Sequence, residues 1–180
     1  LDSWKNHSSA IVTMASAFQY TDTLTDVSGL ANCTNNSQLT SMERTFSSCY
    51  KLEDISPLLN FDVSHVTNMN GVFSYTKISS LQGLRNWQTG NVENLSYAFS
   101  GLPVTSLAGL ENWNVSKVDT LRSTFSSQTN LTDISAISGW NTSSLTNLSR
   151  TFQNDTSVPS FTPLNNWYTA KVTDKSYIFE

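Results

Sequence analysis

The sequence predicts an α/β repeat solenoid, with one short strand per repeat stacked into a parallel sheet and short helical or 3₁₀ turns on the opposite side. Three observations predict it. A phenylalanine returns at positions 18, 46, 73, 99, 125, 152 and 179, in steps of 26 to 28 residues. A second aromatic stands twelve residues before five of these, as Phe61, Trp87, Trp113, Trp140 and Trp167. Two short apolar series keep fixed station around both. Periods of this length mark stacked architectures, in which no single unit can bury its own apolar edge and neighbours share one continuous core.

Each element follows from the register. Seven residues before each phenylalanine lies an aliphatic: Ile11, Leu39, Val66, Val92, Val118, Leu145 and Val172. Four before it come Met14, Met42, Met69, Leu95, Leu121 and Leu148, with Lys175 breaking the rule in the last copy. Apolar spacings of three and four predict a short helical or 3₁₀ turn from the aliphatic to the phenylalanine. In the other half of each unit run Leu24–Val27–Leu30, Leu52–Ile55–Leu58, Ile78–Leu81–Leu84, Val104–Leu107–Leu110, Leu131–Ile134–Ile137 and Val158–Phe161–Leu164. These segments are short and rich in β-branched residues, so they predict the strands, centred near Val27, Ile55, Leu81, Leu107, Ile134 and Phe161. A turn then leads to the second aromatic, as in Gly83-Leu84-Arg85-Asn86-Trp87.

The predicted core is a ladder of Phe18, Phe46, Phe73, Phe99, Phe125 and Phe152 beside Trp87, Trp113, Trp140 and Trp167. Trp4 begins the aromatic series fourteen residues before Phe18, and Cys33 replaces the aromatic before Phe46. Residues 1–180 form one leucine-rich-repeat-like unit of about seven copies. Both ends interrupt a repeat in register, as expected of a piece of a longer array.

Composition narrows the function. Charged residues are only 13% of the chain, about half the usual share. Ser, Thr and Asn supply 69 of the 180 residues instead, giving a neutral surface of hydroxyls and amides. The net charge of −4 and scattered Lys and Arg exclude a nucleic-acid binder, which needs clustered cations against phosphate. No apolar run approaches the ~18 residues of a membrane span. The two cysteines, Cys33 and Cys49, are too few for a disulfide framework or a zinc site. A disulfide between them and a pair of packed thiols are both open.

The segments Val66-Thr67-Asn68-Met69, Asn94-Leu95-Ser96-Tyr97-Ala98-Phe99 and Asn112-Trp113-Asn114-Val115-Ser116-Lys117-Val118 resemble the repeats of BspA-like leucine-rich-repeat surface proteins. The resemblance covers essentially the whole chain. Cys49 occupies that family's cysteine position, three after the phenylalanine; the other copies carry Thr21, Thr76, Leu102, Gln128 and Asp155 there. The resemblance implies a secreted or wall-anchored, extracellular protein of a host-associated microbe, in the style of a lactic-acid bacterium. It also implies attachment to host mucin, glycan or matrix protein.

Candidate sites are few. The histidines, His7 and His65, stand in no nucleophile or ligand motif, and no Gly-rich phosphate loop occurs, so neither an enzyme nor a cofactor or metal site is expected. A monomer is expected. The tyrosines Tyr20, Tyr50, Tyr75, Tyr97, Tyr168 and Tyr177 lie off the strict apolar register and are candidates for exposed contacts. Asp26, Asp54 and Asp133 share one position in their repeats with Ser80, Ser106 and Ser160, predicting an acidic, hydroxyl-rich stripe as the ligand face. Such a stripe would repel acidic mucin glycans at neutral pH and admit them as the aspartates protonate below about pH 4. The nine Asn-x-Ser/Thr sequons, at Asn6, Asn32, Asn35, Asn94, Asn114, Asn130, Asn141, Asn147 and Asn154, read as turn chemistry in so Asn- and Ser-rich a chain. Two functions compete: an adhesive module, and a structural stalk that projects another domain.

Overall fold

The computed structural model describes residues 10–180; Trp4, His7 and the Asn6 sequon lie outside them. The chain winds as successive coils of 26 to 28 residues, and equivalent residues of neighbouring coils lie against one another. Isolated parallel bridges join Thr13 to Ser41, Ser41 to Asn68, Asn68 to Asn94, Asn94 to Thr120, Thr120 to Asn147 and Asn147 to Asp174.

The secondary structure is placed opposite to the sequence expectation. The segments expected as strands hold 3₁₀ turns: Ser28–Leu30, Ser56–Leu58, Gln82–Leu84, Ser135–Ile137 and Thr162–Leu164. The residues entering them, Val27, Ile55, Leu81, Ile134 and Phe161, have ψ between 6° and 16°, far from extended backbone. The reason is local. Asp26, Asp54, Ser80, Asp133 and Ser160 each accept the backbone N–H two residues on and close the chain into a turn. Pro57 and Pro163 suit the first turn of a helix. The β-branched residues here are single buried knobs, not members of a strand. In the fourth of these segments the 3₁₀ turn is absent, and Ser106 instead bridges Asp133 in parallel.

Among the described residues, six of the seven isolated parallel bridges fall in the half expected to be helical. From Met14 to Tyr20, every second backbone N–H crosses to the next coil: Met14 to Ser41, Ser16 to Glu43, Phe18 to Thr45 and Tyr20 to Ser47, all to carbonyl oxygens. The N–H groups between them, of Ala17, Gln19 and Thr21, turn back to the carbonyl three residues earlier. The same four crossings recur at each of the six interfaces. Spacings of three and four therefore arise from a run of linked turns, and not from a helix that satisfies its own backbone.

This run requires left-handed residues. Two before each phenylalanine, Ser16, Arg44, Gly71, Tyr97, Ser123, Arg150 and Tyr177 have φ between 51° and 61°. Two after it, Tyr20, Ser48, Tyr75, Gly101, Ser127 and Asn154 have φ between 59° and 71°, apart from Tyr75 at 57°. Each non-glycine residue in this region costs roughly 1–2 kcal/mol, so the inter-coil bonds and the core must hold it there.

One hydrophobic cluster runs through all coils. Phe46, Phe73, Phe99, Phe125 and Phe152 are buried, with Phe18 partly so. Their rings stack at 5.4 to 6.3 Å with interplanar angles of 3° to 19°. Trp87 stacks on Trp113, and Trp140 on Trp167, at 6.1 Å. Each tryptophan also donates its indole N–H to the preceding coil, to the carbonyls of Leu58, Leu84, Leu110 and Ile137 respectively. Cys33 and Cys49 are free, buried thiols, so the disulfide that the sequence left open is not formed. Burial raises both thiol pKa values, and Cys49 Sγ donates to the Phe18 carbonyl at 3.0 Å.

Candidate functional site: a tyrosine and arginine cleft on the left-handed ridge

The linked turns leave Ser16, Tyr20, Arg44, Tyr75, Asn154 and Tyr177 exposed, while Ser48, Gly71 and Ser123 are covered and the phenylalanine between each pair points inward. A ridge results on every coil, carrying the residues at phenylalanine minus two and plus two. On this ridge lie Tyr20, Tyr75, Tyr97 and Tyr177, four of the six tyrosines. They lie off the apolar register, as read from the sequence, and keep a register of their own. Tyr20 is 67% exposed and Tyr75 51% exposed.

Between Tyr20 and Tyr75 opens a cleft of about 350 Å³, lined also by Arg44, Ser48, Asn70 and Tyr97. Two glycines shape it. A Cβ on Gly71 would lie 3.3 Å from Arg44 Cγ, and one on Gly101 only 2.6 Å from Tyr75 Cδ1. The Arg44 stem and the Tyr75 ring therefore lie over glycine positions of the next coil, where any side chain would lift them off. Below them, Ser47 and Ser74 join hydroxyls at 2.9 Å and give the cleft a polar floor. Arg44 is exposed. Among the described residues its guanidinium makes no hydrogen bond or ion pair within the chain.

The arrangement offers flat aromatic faces, a planar cation and hydroxyls at one open surface. It holds no nucleophile paired with a base, and among the described residues no three or more His, Cys, Asp or Glu side chains gather as metal ligands. Among the described residues no helix is long and apolar enough to cross a membrane. The rings, cation and hydroxyls of the cleft offer contacts to a ligand.

The acidic stripe lies elsewhere, at the entrance to the 3₁₀ turns. Asp26, Asp54, Ser80, Asp133 and Ser160 are exposed and Ser106 half-buried. Each is engaged by its own turn, and only Ser106 and Asp133 touch across coils, at 3.1 Å. The backbone N–H and hydroxyl of Ser28 hold Asp26 below its ordinary carboxylate value. Ser135 does the same for Asp133, with help from the Ser106 hydroxyl. Proton uptake by these two is thus displaced to more acidic pH than the sequence suggests.

A third column went unread in the sequence. Thr13, Ser41, Asn68, Asn94, Thr120, Asn147 and Asp174 occupy the bridge positions, and each side-chain oxygen accepts the backbone N–H two residues on. These bonds start each ridge. Arg44, Arg122 and Arg150 were likewise missed, because four arginines in 180 residues look scattered until the coils are stacked. The signal existed: Arg44 and Arg150 stand two residues before their phenylalanines, as do Tyr97 and Tyr177.

A family model described as "Mycoplasma protein of unknown function, DUF285" matches residues 1–108 and again residues 94–180. The two placements overlap and together span the chain, as a model longer than one repeat does on a repeated sequence. No curated protein matches it.

Proposed function

The chain belongs to the DUF285 family, and we propose that it is a surface-displayed adhesion module, a leucine-rich-repeat-like solenoid whose ligand is a host mucin-type glycoprotein or matrix component. The observation that carries this reading is the exposure of Tyr20 and Tyr75 on either side of Arg44, in a cleft lined from four successive coils. A bulky aromatic in left-handed backbone is held at a cost, and a glycine would fill the same position without it, as Gly101 does. Such outliers, kept exposed, support a binding role. The resemblance to BspA-like surface proteins supports the same reading and the same extracellular location. The family's description assigns no function.

The stacked coils add a second argument. A ridge repeated along a stack offers several weak contacts to one extended ligand, and many copies on a cell would multiply them. The test is binding of the 180-residue chain to immobilised mucin and to matrix proteins, compared with a Tyr20→Ser, Tyr75→Ser variant. Measurable attachment that the double variant reduces supports the adhesion module. Absence of binding on every surface returns the chain to a structural stalk.

A further inference from the structure

Resting on that adhesion reading, we infer that the cleft recognises an acidic glycan, a saccharide bearing carboxylate or sulfate groups, with Arg44 as its anion contact and the rings of Tyr20 and Tyr75 as its sugar platform. The chain carries a net charge of −4 and only four arginines. Arg44 and Arg150 stand on the tyrosine ridge, and Arg122, one residue before it, reaches the ring of Tyr97; Arg85 follows a 3₁₀ turn in the other half of its coil. The guanidinium of Arg122 lies 5.8 Å from the Tyr97 ring centre, and that of Arg150 lies 5.3 Å from the ring of Tyr177. Cation and aromatic are therefore paired along the ridge in a protein that is otherwise acidic.

Arg44 differs from these two in facing an open cleft. Its acidic neighbour in sequence, Glu43, accepts a hydrogen bond from the Asn68 amide at 3.3 Å and forms no ion pair with Arg44. A planar guanidinium with five donors matches the two or three oxygens of a carboxylate or sulfate in a bidentate manner, which an ammonium or a hydroxyl cannot do. The flanking tyrosine rings suit the apolar face of a sugar, and their hydroxyls suit its rim. A neutral glycan would use the rings and leave the guanidinium idle. Three coils separate Arg44 from Arg122, roughly 15 Å at the ~4.8 Å spacing of paired backbones. That distance lets one long acidic chain reach both.

The experiment measures the 180-residue chain by biolayer interferometry on sialylated and sulfated mucin, and on the same mucin after sialidase treatment and desulfation. Arg44→Gln and Arg85→Gln are run in parallel, with circular dichroism to confirm that both fold. Removal of the acidic groups is expected to weaken binding about tenfold or more, as is Arg44→Gln, while Arg85→Gln leaves it unchanged. Equal binding to both mucins, or an Arg44→Gln variant that binds as wild type, overturns the acidic-glycan assignment and leaves adhesion standing. Equal losses for Arg44→Gln and Arg85→Gln indicate unspecific charge attraction and overturn the site. No binding to either mucin or to matrix proteins overturns the adhesion reading and this one with it.

Discussion

The indole Nε1 of Trp113 donates a hydrogen bond to the backbone oxygen of Leu84, 3.1 Å away and one coil earlier. The same oxygen accepts the backbone N–H of Trp87 at 3.0 Å, so one carbonyl ties the end of a 3₁₀ turn to two successive tryptophans. Phe61 fills the equivalent position without an indole, which shows that the ring matters more to this site than the bond. Trp113→Phe should therefore cost only ~0.5–1.5 kcal/mol, since Leu84 keeps a partner. Trp113→Ala should cost ~3–5 kcal/mol. Urea titrations of the two variants check the difference; similar midpoints would mean that the hydrogen bond, and not the stacked ring, holds the coils.

The phenylalanine ladder should weaken towards its end. Phe99 is fully buried between Phe73 and Phe125, whereas Phe179 is 57% exposed. Phe99→Ala is expected to cost ~3–5 kcal/mol and Phe179→Ala markedly less. Equal losses in denaturant would contradict a core shared between neighbours on both sides.

Gly109 sits at φ 112°, and a Cβ there would lie 2.4 Å from the backbone oxygen of Leu81 in the preceding coil. Backbone cannot swing aside as a side chain can. Gly109→Ala should lower stability by at least ~1–3 kcal/mol, through strain and a widened coil spacing. Gly139, with nothing within 4 Å of its would-be Cβ, is the control and should tolerate alanine without loss. Thermal melts of the pair decide it.

Asp155 should make stability depend on pH in a direction unusual for a carboxylate. It is buried in the sixth coil; Oδ1 accepts the Gln128 backbone N–H at 2.7 Å, while Oδ2 and the neighbouring Gln128 Oε1 have no partner. Burial raises its pKa to about 7, against the pull of the Gln128 N–H. The folded chain then holds a proton that the unfolded chain releases near pH 4, so stability falls as pH rises from about 4 to about 7 and levels off above. Asp26, Asp62, Asp133 and Asp174 have lowered pKa values and act at the acid end, outside this window. Asp155→Asn should be more stable than wild type at pH 8 and equal to it at pH 4. Parallel pH profiles for the two proteins would show that Asp155 is not the group responsible.

Read alone, the chain specified its period, its aromatic ladders and nearly every core position, because those depend only on which residues recur at a fixed step. Phe46, Phe73 and Trp113 could be assigned to the interior from spacing, since a stacked core needs the same apolar group in each unit. Tertiary structure decided which half of each coil bridges its neighbour. Alternate N–H groups from Met14 to Tyr20 find acceptors about 27 residues away, and no local pattern distinguishes that from a helix whose bonds close within itself. It also decided the outward direction of Tyr20, Arg44 and Tyr75. Their side chains leave the surface because left-handed backbone reverses the turn at those positions, and only the stacked coils hold residues other than glycine in that conformation.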